Sequence, residues 1–460
     1  MAESDLIVIG GGPGGYVAAL RAAQLGMRVT LVERAELGGI CLNWGCIPTK
    51  ALLHTADLVR QIGAAATFGI ITPPPELDLA RIVARSREVA ARLQGGVRHL
   101  LKKAKVEVIE ATACLAGPGR VTLSGQGERR APHILLATGA RARTLPGFEP
   151  DGRFLWSSRE ALQPDQIPRR LVVIGSGAIG IEFATLFQAF GSTVTVVEAL
   201  DRLLPVEDAE ISALARAAFE RQGIQCHTGA RVTGLVRGET AVEVLVETGG
   251  QSLRLAADRV IVAIGITGNV EHLGLDTTRA RVEKGHIVTD GFGRTDQPGL
   301  YAIGDVAGPP WLAHKASHEG VLCVEMIAGL PNLPPLDPQR IPGCTFCHPP
   351  VASVGLTEAA ALAAGHRLRI GRFPFLANGK AIALGETEGL VKTLFDADSG
   401  ELLGAHIIGA EAPELIQGFA VAQSLETTEA ELIATVFPHP TLSEAMHEAV
   451  LAAFGQGLHL

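Results

Sequence analysis

The sequence predicts an α/β fold, and three observations predict it. A glycine-rich turn occurs twice: Leu6-Ile7-Val8-Ile9 runs into Gly10-Gly11-Gly12-Pro13-Gly14-Gly15, and 165 residues later Leu171-Val172-Val173-Ile174 runs into Gly175-Ser176-Gly177-Ala178-Ile179-Gly180. The apolar runs before these turns do not alternate, which fits parallel strands covered on both faces. After a proline-rich stretch from Pro331 to Pro338, strand and helix patterns alternate to the C-terminus, as in an α+β domain. The 460 residues, at roughly 150 per domain, leave room for about three such units.

In chain order, each copy reads as a buried strand, a glycine turn, a helix, a second strand and an acid. The second strands are Val29 to Glu33 and Val194 to Glu198, and the offset persists through Gly26 and Gly191, Val29 and Val194, Thr30 and Thr195, and Glu33 and Glu198. Residues 51–110 read as largely helical, broken at Pro73-Pro74-Pro75. His133 to Ala137 predicts a strand entering Thr138-Gly139, Arg259 to Ile264 one entering Gly265, and Leu300 to Ile303 one entering Gly304-Asp305.

Composition narrows the function classes. Hydrophobic residues make up 47% and charged residues 19%, enough for sizeable cores and against disorder. Glycine, 54 residues, is in excess of the typical ~7% and calls for tight turns or close backbone approach to a ligand. The net charge of −8 and the lack of a basic block argue against a nucleic-acid partner. The acidic start Met1-Ala2-Glu3-Ser4-Asp5 lacks the positive region of a signal peptide, and no apolar run reaches the ~18 residues of a membrane span. The expectation is a soluble cytoplasmic protein with no membrane partner. Seven cysteines, at 41, 46, 114, 226, 323, 344 and 347, do not suggest a secreted disulfide framework.

Two glycine turns, each after an apolar strand and each followed at the same spacing by an acid, point to two dinucleotide sites. The first glycine makes the turn, the second lets backbone approach the pyrophosphate, and the third lets helix and strand pack closely. Gly10, Gly12 and Gly15 fill these places in the first copy, and Gly175, Gly177 and Gly180 in the second. Glu33 and Glu198 would accept hydrogen bonds from ribose hydroxyls, and an acid at 198 repels a 2′-phosphate, favouring NAD over NADP. Two sites suggest electron transfer between two cofactors, and the first is read as the flavin site because a cysteine pair follows it closely.

That pair stands in Gly38-Gly39-Ile40-Cys41-Leu42-Asn43-Trp44-Gly45-Cys46-Ile47-Pro48-Thr49-Lys50. Four residues separate the thiols, which can be joined only if their Cα atoms come within about 7 Å. Here the sequence resembles the pyridine nucleotide-disulfide oxidoreductases of the glutathione reductase type. Within them it is most similar to the dihydrolipoamide dehydrogenase branch, the E3 components of 2-oxo acid dehydrogenase complexes. The motifs are GGICLNWGCIPTKAL at 38–52, YAIGDV at 301–306, LAHKASHEG at 312–320, VASVGLTE at 351–358 and HPTLSE at 439–444, and the likeness covers essentially the whole chain. Phe346-Cys347, where Tyr-Thr is common, and Pro350, where an acid is common, depart from the pattern and bear on local interface contacts rather than on the redox pair.

The resemblance implies two Rossmann-like FAD- and NAD-binding domains plus an α+β C-terminal dimerisation domain. Their expected limits are 1–148 for the FAD domain, 149–265 for the NAD domain, 266–335 for a central segment completing the FAD domain, and 336–460 for the interface domain. It implies FAD, bound tightly without a covalent link, and NAD. Cys41 would be the interchange thiol and Cys46 the charge-transfer thiol, with Lys50 and Glu182 paired near flavin N5. Ala113, Thr138, Gly139 and Asp305 would touch FAD, with Trp311, Leu312, Ala313 and His314 closing over it. Gly175 to Glu182, Glu198, Val232 and Gly265 would line the NAD site. The reaction implied is oxidation of protein-bound dihydrolipoamide with reduction of NAD, by a homodimer serving the lipoyl domain and acyltransferase core of a 2-oxo acid dehydrogenase complex.

Thiol–disulfide exchange needs a thiolate, and a free thiol is only a few per cent ionised near neutrality. By resemblance, His439 is the base that removes the proton and Glu444 its partner, both reaching the disulfide of the other subunit. Taken alone, a histidine between prolines reads as a surface turn. His314 with His318, and Cys344-Thr345-Phe346-Cys347-His348, carry metal-like spacings without a complete ligand set, so no metal is expected. Alternatives are another disulfide reductase of the same type, such as a glutathione reductase-like enzyme, or a catalytically idle flavoprotein assembly subunit.

Overall fold

The computed structural model describes residues 4–459, so Met1 to Glu3 of the acidic start lie outside the described residues. The chain forms two compact units, one of residues 1–52, 78–143 and 265–338, the other of residues 53–77, 144–264 and 339–460.

The first unit is built on a five-stranded parallel sheet in the order Leu300–Ala302, His133–Leu136, Leu6–Ile9, Val29–Glu33, Glu107–Glu110. All four residues of Leu6–Ile9 are buried, as the unalternating run requires. Helix Pro13–Gln24 follows the glycine turn and lies against helix Ala313–Ile327. Glycine permits the approach: a Cβ on Gly320 would stand 2.7 Å from the Gly14 carbonyl oxygen. A three-stranded antiparallel meander, Ala113–Leu115, Arg120–Leu123 and Gly127–Arg130, precedes the fourth strand in sequence.

The second unit repeats this plan. Its parallel sheet runs Gln225–His227, Thr193–Val197, Arg170–Ile174, Arg259–Val262, Leu155–Trp156. A meander again interrupts the run of sheet strands, here Ala230–Arg237, Val242–Thr248 and Gln251–Ala257 between the fourth and fifth in sequence. The duplication therefore extends past the glycine turns to the whole sheet. The copies differ in the outer strand, drawn from a later segment in the first unit and from an earlier one in the second. A five-stranded antiparallel sheet, Gly343–Thr345, Val351–Gly355, Leu402–Ile408, Leu390–Asp396, Leu368–Pro374, completes the second unit. Helices Ala412–Ser424 and Glu444–Ala453 bury Phe419, Met446 and Val450 with Phe373, Phe395 and Ile407 of that sheet in one core.

The sequence places residues 53–77 with the first nucleotide domain, whereas they group with the second unit. The physical reason is long-range. Arg60 donates to the Thr185 carbonyl at 2.7 Å, and Phe68 lies against Gly385. The proline-rich stretch at 331–338 belongs to the first unit, where Pro335 lies beside Gly291, rather than standing apart as a linker. Among the described residues no helix is long and apolar enough to cross a membrane.

Candidate active site

The two glycine turns have the same geometry. Gly10 has φ +106°, and a Cβ there would stand 2.2 Å from the Ala137 carbonyl oxygen; Gly175 has φ +99°, with the Ala263 oxygen 2.4 Å away. A Cβ on Gly15 would meet the Gly10 oxygen at 1.9 Å, and one on Gly180 the Gly175 oxygen at 2.0 Å. The protein itself thus requires glycine at the first and third positions. The second position is different. Gly12 and Gly177 are extended, at φ −69° and −67°, the nearest atom to a Cβ on Gly12 is 3.9 Å away, and Gly177 has none within 4 Å. Nothing in the protein demands glycine there, while a pyrophosphate drawn onto backbone amides at a helix N-terminus does. The donor sets therefore fit two dinucleotides.

The acids brace these turns. Glu33 accepts from the amides of Gly11, at 2.7 Å, and Ala35, at 2.8 Å. Glu198 accepts from the Ser176 amide at 2.8 Å, the Ser176 hydroxyl at 2.7 Å and the Leu200 amide at 2.8 Å. A carboxylate has about four acceptor positions, so both retain capacity for a ribose hydroxyl. Ser176, absent from the sequence-based set, is the extra clamp in the second copy.

Asp305 sits on the short 3-10 turn Gly304–Ala307. Burial pushes its carboxyl above the ordinary range, with the Lys315 charge opposing. Lys315 is buried, donates to the Gly308 oxygen at 3.1 Å and pairs with Glu319 at 2.9 Å, while Glu319 also accepts from the Gly304 amide at 2.7 Å. These two residues of the LAHKASHEG stretch hold the turn, a role that i,i+4 spacing in that motif could have suggested. A largely buried acid of this kind suits a hydroxylated ligand such as the FAD ribitol. Thr138 and Gly139 are fixed by Asn269: its side chain donates to the Thr138 oxygen at 2.9 Å, and its amide to the Gly139 oxygen at 2.9 Å. Ala113 is buried on its meander strand. Trp311 is partly exposed and donates to His286 at 3.2 Å, just before Leu312, Ala313 and His314 open helix Ala313–Ile327. Val232 lies at the register shift of its strand, against the second unit's sheet core, and Gly265 has φ +105°.

Cys41 lies in helix Gly39–Trp44, and Cys46 opens helix Cys46–Ala64 after the break at Gly45. Both are present as thiols. A hydrogen bond with Cys46, then burial, pushes the Cys41 thiol far above its ordinary pKa, while the Lys50 ammonium pulls the other way. Cys46 stands where a helix N-terminus favours a thiolate. The bend is braced from below. Asn43 donates to the Leu37 and Gly39 oxygens, both at 2.9 Å, Thr49 caps the Gly45 oxygen at 2.6 Å, and the Arg87 guanidinium lies 4.2 Å from the Trp44 ring centre. Tyr16 packs in the same apolar cluster as Cys41 and Ile47.

In the second unit, Glu182 is buried on helix Ala178–Ala189, and its Oε1 accepts from the Phe346 amide at 3.0 Å. His439 is exposed, and its Nδ1 meets Glu444 Oε1 at 2.9 Å. Burial raises the Glu444 carboxyl, but the Thr441 amide and the His439 imidazole outweigh it and hold the group below its ordinary value. With Nδ1 on the carboxylate, Nε2 is left outward as the proton acceptor. Thr441, whose amide bonds Glu444 Oε2 at 2.8 Å, is a further member of this site. Among the described residues no group of three or more His, Cys, Asp or Glu could hold a metal ion.

Comparison with known proteins matches this arrangement. The family model for pyridine nucleotide-disulphide oxidoreductases matches residues 4–320, and that for the dimerisation domain of the same family matches residues 341–450. A dihydrolipoyl dehydrogenase of Rhizobium etli is 53% identical, covering 100% of both chains. One of Zymomonas mobilis is 54% identical over 99% of both. Among solved structures, LpdA of Mycobacterium tuberculosis is similar with a TM-score of 0.90 at 29% identity, covering 97% of this chain and 98% of its own. The chain belongs to the pyridine nucleotide-disulphide oxidoreductase family.

Proposed function

We propose that this chain is a dihydrolipoyl dehydrogenase: it oxidises protein-bound dihydrolipoamide to lipoamide and reduces NAD. The observation that carries this is the Cys41–Cys46 thiol pair, hydrogen-bonded across a helix break beside Lys50, in a chain more than half identical over its length to dihydrolipoyl dehydrogenases. FAD, when bound at the first glycine turn, relays two electrons from the thiol pair to NAD.

The remaining steps belong to the chain's own residues. With Cys41 and Cys46 oxidised to a disulfide, His439 of one subunit accepts a proton from the dithiol at Nε2, and Glu444 holds the ring and stabilises its cation. The substrate thiolate attacks Cys41 and Cys46 leaves as thiolate. The second substrate thiol then displaces Cys41, closing the lipoyl disulfide and leaving Cys41 and Cys46 reduced. The exchange is balanced: two electrons pass from the substrate to the cysteine pair, one substrate proton is held by His439 and the other by Cys41, and Cys46 remains a thiolate. The thiolate of the pair is assigned to Cys46, which opens helix Cys46–Ala64, where a helix N-terminus favours negative charge. Overall, dihydrolipoamide and NAD+ give lipoamide, NADH and a proton. Lys50 and Glu182 are assigned to the flavin N5 edge, and Gly12, Glu33, Ala113, Thr138, Gly139 and Asp305 to FAD. Gly177, Glu198, Val232 and Gly265 are assigned to NAD. The working form is a homodimer, each subunit supplying His439 and Glu444 to the other's disulfide, and its partners are the lipoyl domain and acyltransferase core of a 2-oxo acid dehydrogenase complex.

The test is a steady-state assay of the FAD-loaded protein with dihydrolipoamide and NAD, beside NADP and beside glutathione disulfide with NADPH. Strong NAD reduction by dihydrolipoamide alone is expected. Preference for glutathione disulfide and NADPH would move the substrate to another branch of the family.

A further inference from the structure

Glu182 is buried, and a buried carboxylate needs donors to hold its charge and direction. One donor comes from a distant segment. Phe346 follows strand Gly343–Thr345 directly, and its amide leaves the ladder to reach Glu182 Oε1 at 3.0 Å. Two further contacts make this junction rigid. Cys347 is buried next to Phe346 and donates to the Pro349 oxygen at 3.1 Å. Arg60, paired with Asp57 at 2.8 Å, donates to the Thr185 oxygen and so holds the helix that carries Glu182. Burial, followed by the Glu182 and Glu207 charges, keeps the Cys347 thiol protonated and uncharged.

We propose that the backbone amide of Phe346 is a positioning group for the nicotinamide half of the reaction, fixing the direction of the Glu182 carboxylate. This rests on the assignment of Glu182 to the flavin N5 edge. It also accounts for the departure at Phe346: the amide does the holding, so the side chain there is free to differ from the family's usual residue.

The experiment separates the amide from its side chain. Phe346→Ala keeps the N–H, Phe346→Pro removes it, and Phe346→Gly keeps it on a looser backbone. Rapid mixing of the FAD-loaded variants measures flavin reduction by NADH, and separately reduction by dihydrolipoamide. Phe346→Pro is expected to slow the NADH step about tenfold, as a misplaced group near reacting atoms does, with the dihydrolipoamide step changed less than threefold. Phe346→Ala should leave both steps within twofold. In a Glu182→Ala background, Phe346→Pro should cost less than twofold further, since the two act as one unit. If Phe346→Pro does not fold, Phe346→Gly should slow the NADH step about threefold relative to Phe346→Ala. A folded Phe346→Pro, or Phe346→Gly in its place, with an NADH step equal to that of Phe346→Ala overturns the proposal. If Glu182→Ala itself reduces normally with NADH, the placement of Glu182 falls and the proposal with it. Impaired Glu182→Ala beside normal Phe346→Pro removes this inference alone.

Discussion

Gly177→Ala isolates ligand approach from folding. The backbone at Gly177 is extended, at φ −67° and ψ 176°, and an added Cβ meets nothing within 4 Å. Alanine therefore fits without strain. It is a poorer N-cap than glycine, but it restricts the unfolded chain by about 0.4–1 kcal/mol, so stability should change by less than about 1 kcal/mol. The methyl projects where a pyrophosphate must approach the backbone. Forcing one methyl into a close-packed contact costs about 1–3 kcal/mol, which at 1.4 kcal/mol per decade is a rise in KM for NAD of roughly 5- to 150-fold. The assay is steady-state turnover with saturating dihydrolipoamide and varied NAD, together with Tm and flavin content. Gly175→Ala is the contrast: with φ +99° and the Ala263 oxygen 2.4 Å from the new Cβ, it should lower Tm before any effect on NAD is seen. A Gly177→Ala protein whose KM for NAD stays within twofold of the parent would refute the reasoning that ligand approach is what requires glycine at this position.

Cys41→Ser and Cys46→Ser should each abolish dihydrolipoamide oxidation while FAD remains bound; near-normal turnover by either variant would end the disulfide mechanism. His439→Ala should lose about 10²- to 10⁴-fold in the dithiol-dependent rate, the usual worth of a general base, and a loss under threefold in kcat/KM would remove His439 from that role. Lys392 is fully buried among Asp208 at 2.8 Å, Glu210 at 3.0 Å and Glu358 at 2.6 Å. Burial works against charge on both sides of this cluster, but the mutual contacts win, holding Asp208 and Glu210 below and Lys392 above their ordinary values. Depressed carboxyls contribute stability above their unfolded values, near 4, and lose it as pH falls through the lower folded values; the raised lysine contributes below about 10.4 and loses it above its folded value. Lys392→Met removes the ammonium from buried Asp208, while Arg372 still pairs with Glu210 and Glu358, and should cost about 3–5 kcal/mol at neutral pH. That deficit should shrink toward pH 5 as the buried Asp208 carboxylate, no longer held by Lys392, takes up a proton. Denaturant melts at pH 7.5 and 5 check this, and a deficit that grows in acid would contradict it.

The parts of the site that are short in sequence are the parts a sequence reading reaches. Cys41 and Cys46 share one turn and a helix start, the paired glycine turns are fixed by sterics between adjacent strands, and His439 finds Glu444 five residues on. Each is set by local geometry that residue types and spacing encode directly. The duplication, too, is written in matched residues at one offset. Other features depend on which surfaces come together after folding. The Phe346 amide reaches Glu182 from 164 positions away, Asn269 fixes Thr138 from 131, and Lys392 gathers Asp208 from 184. Residues 53–77 join the second unit because Arg60 finds a carbonyl on a distant helix. No periodicity announces such contacts, because a backbone amide or carbonyl carries no residue label. Sequence by itself determined the groups this chain offers: two nucleotide turns, a thiol pair and, through its resemblance, an imidazole–carboxylate pair. The tertiary structure alone decided which buried charges are answered and by what, because desolvation makes an unpaired charge costly only once packing has closed around it.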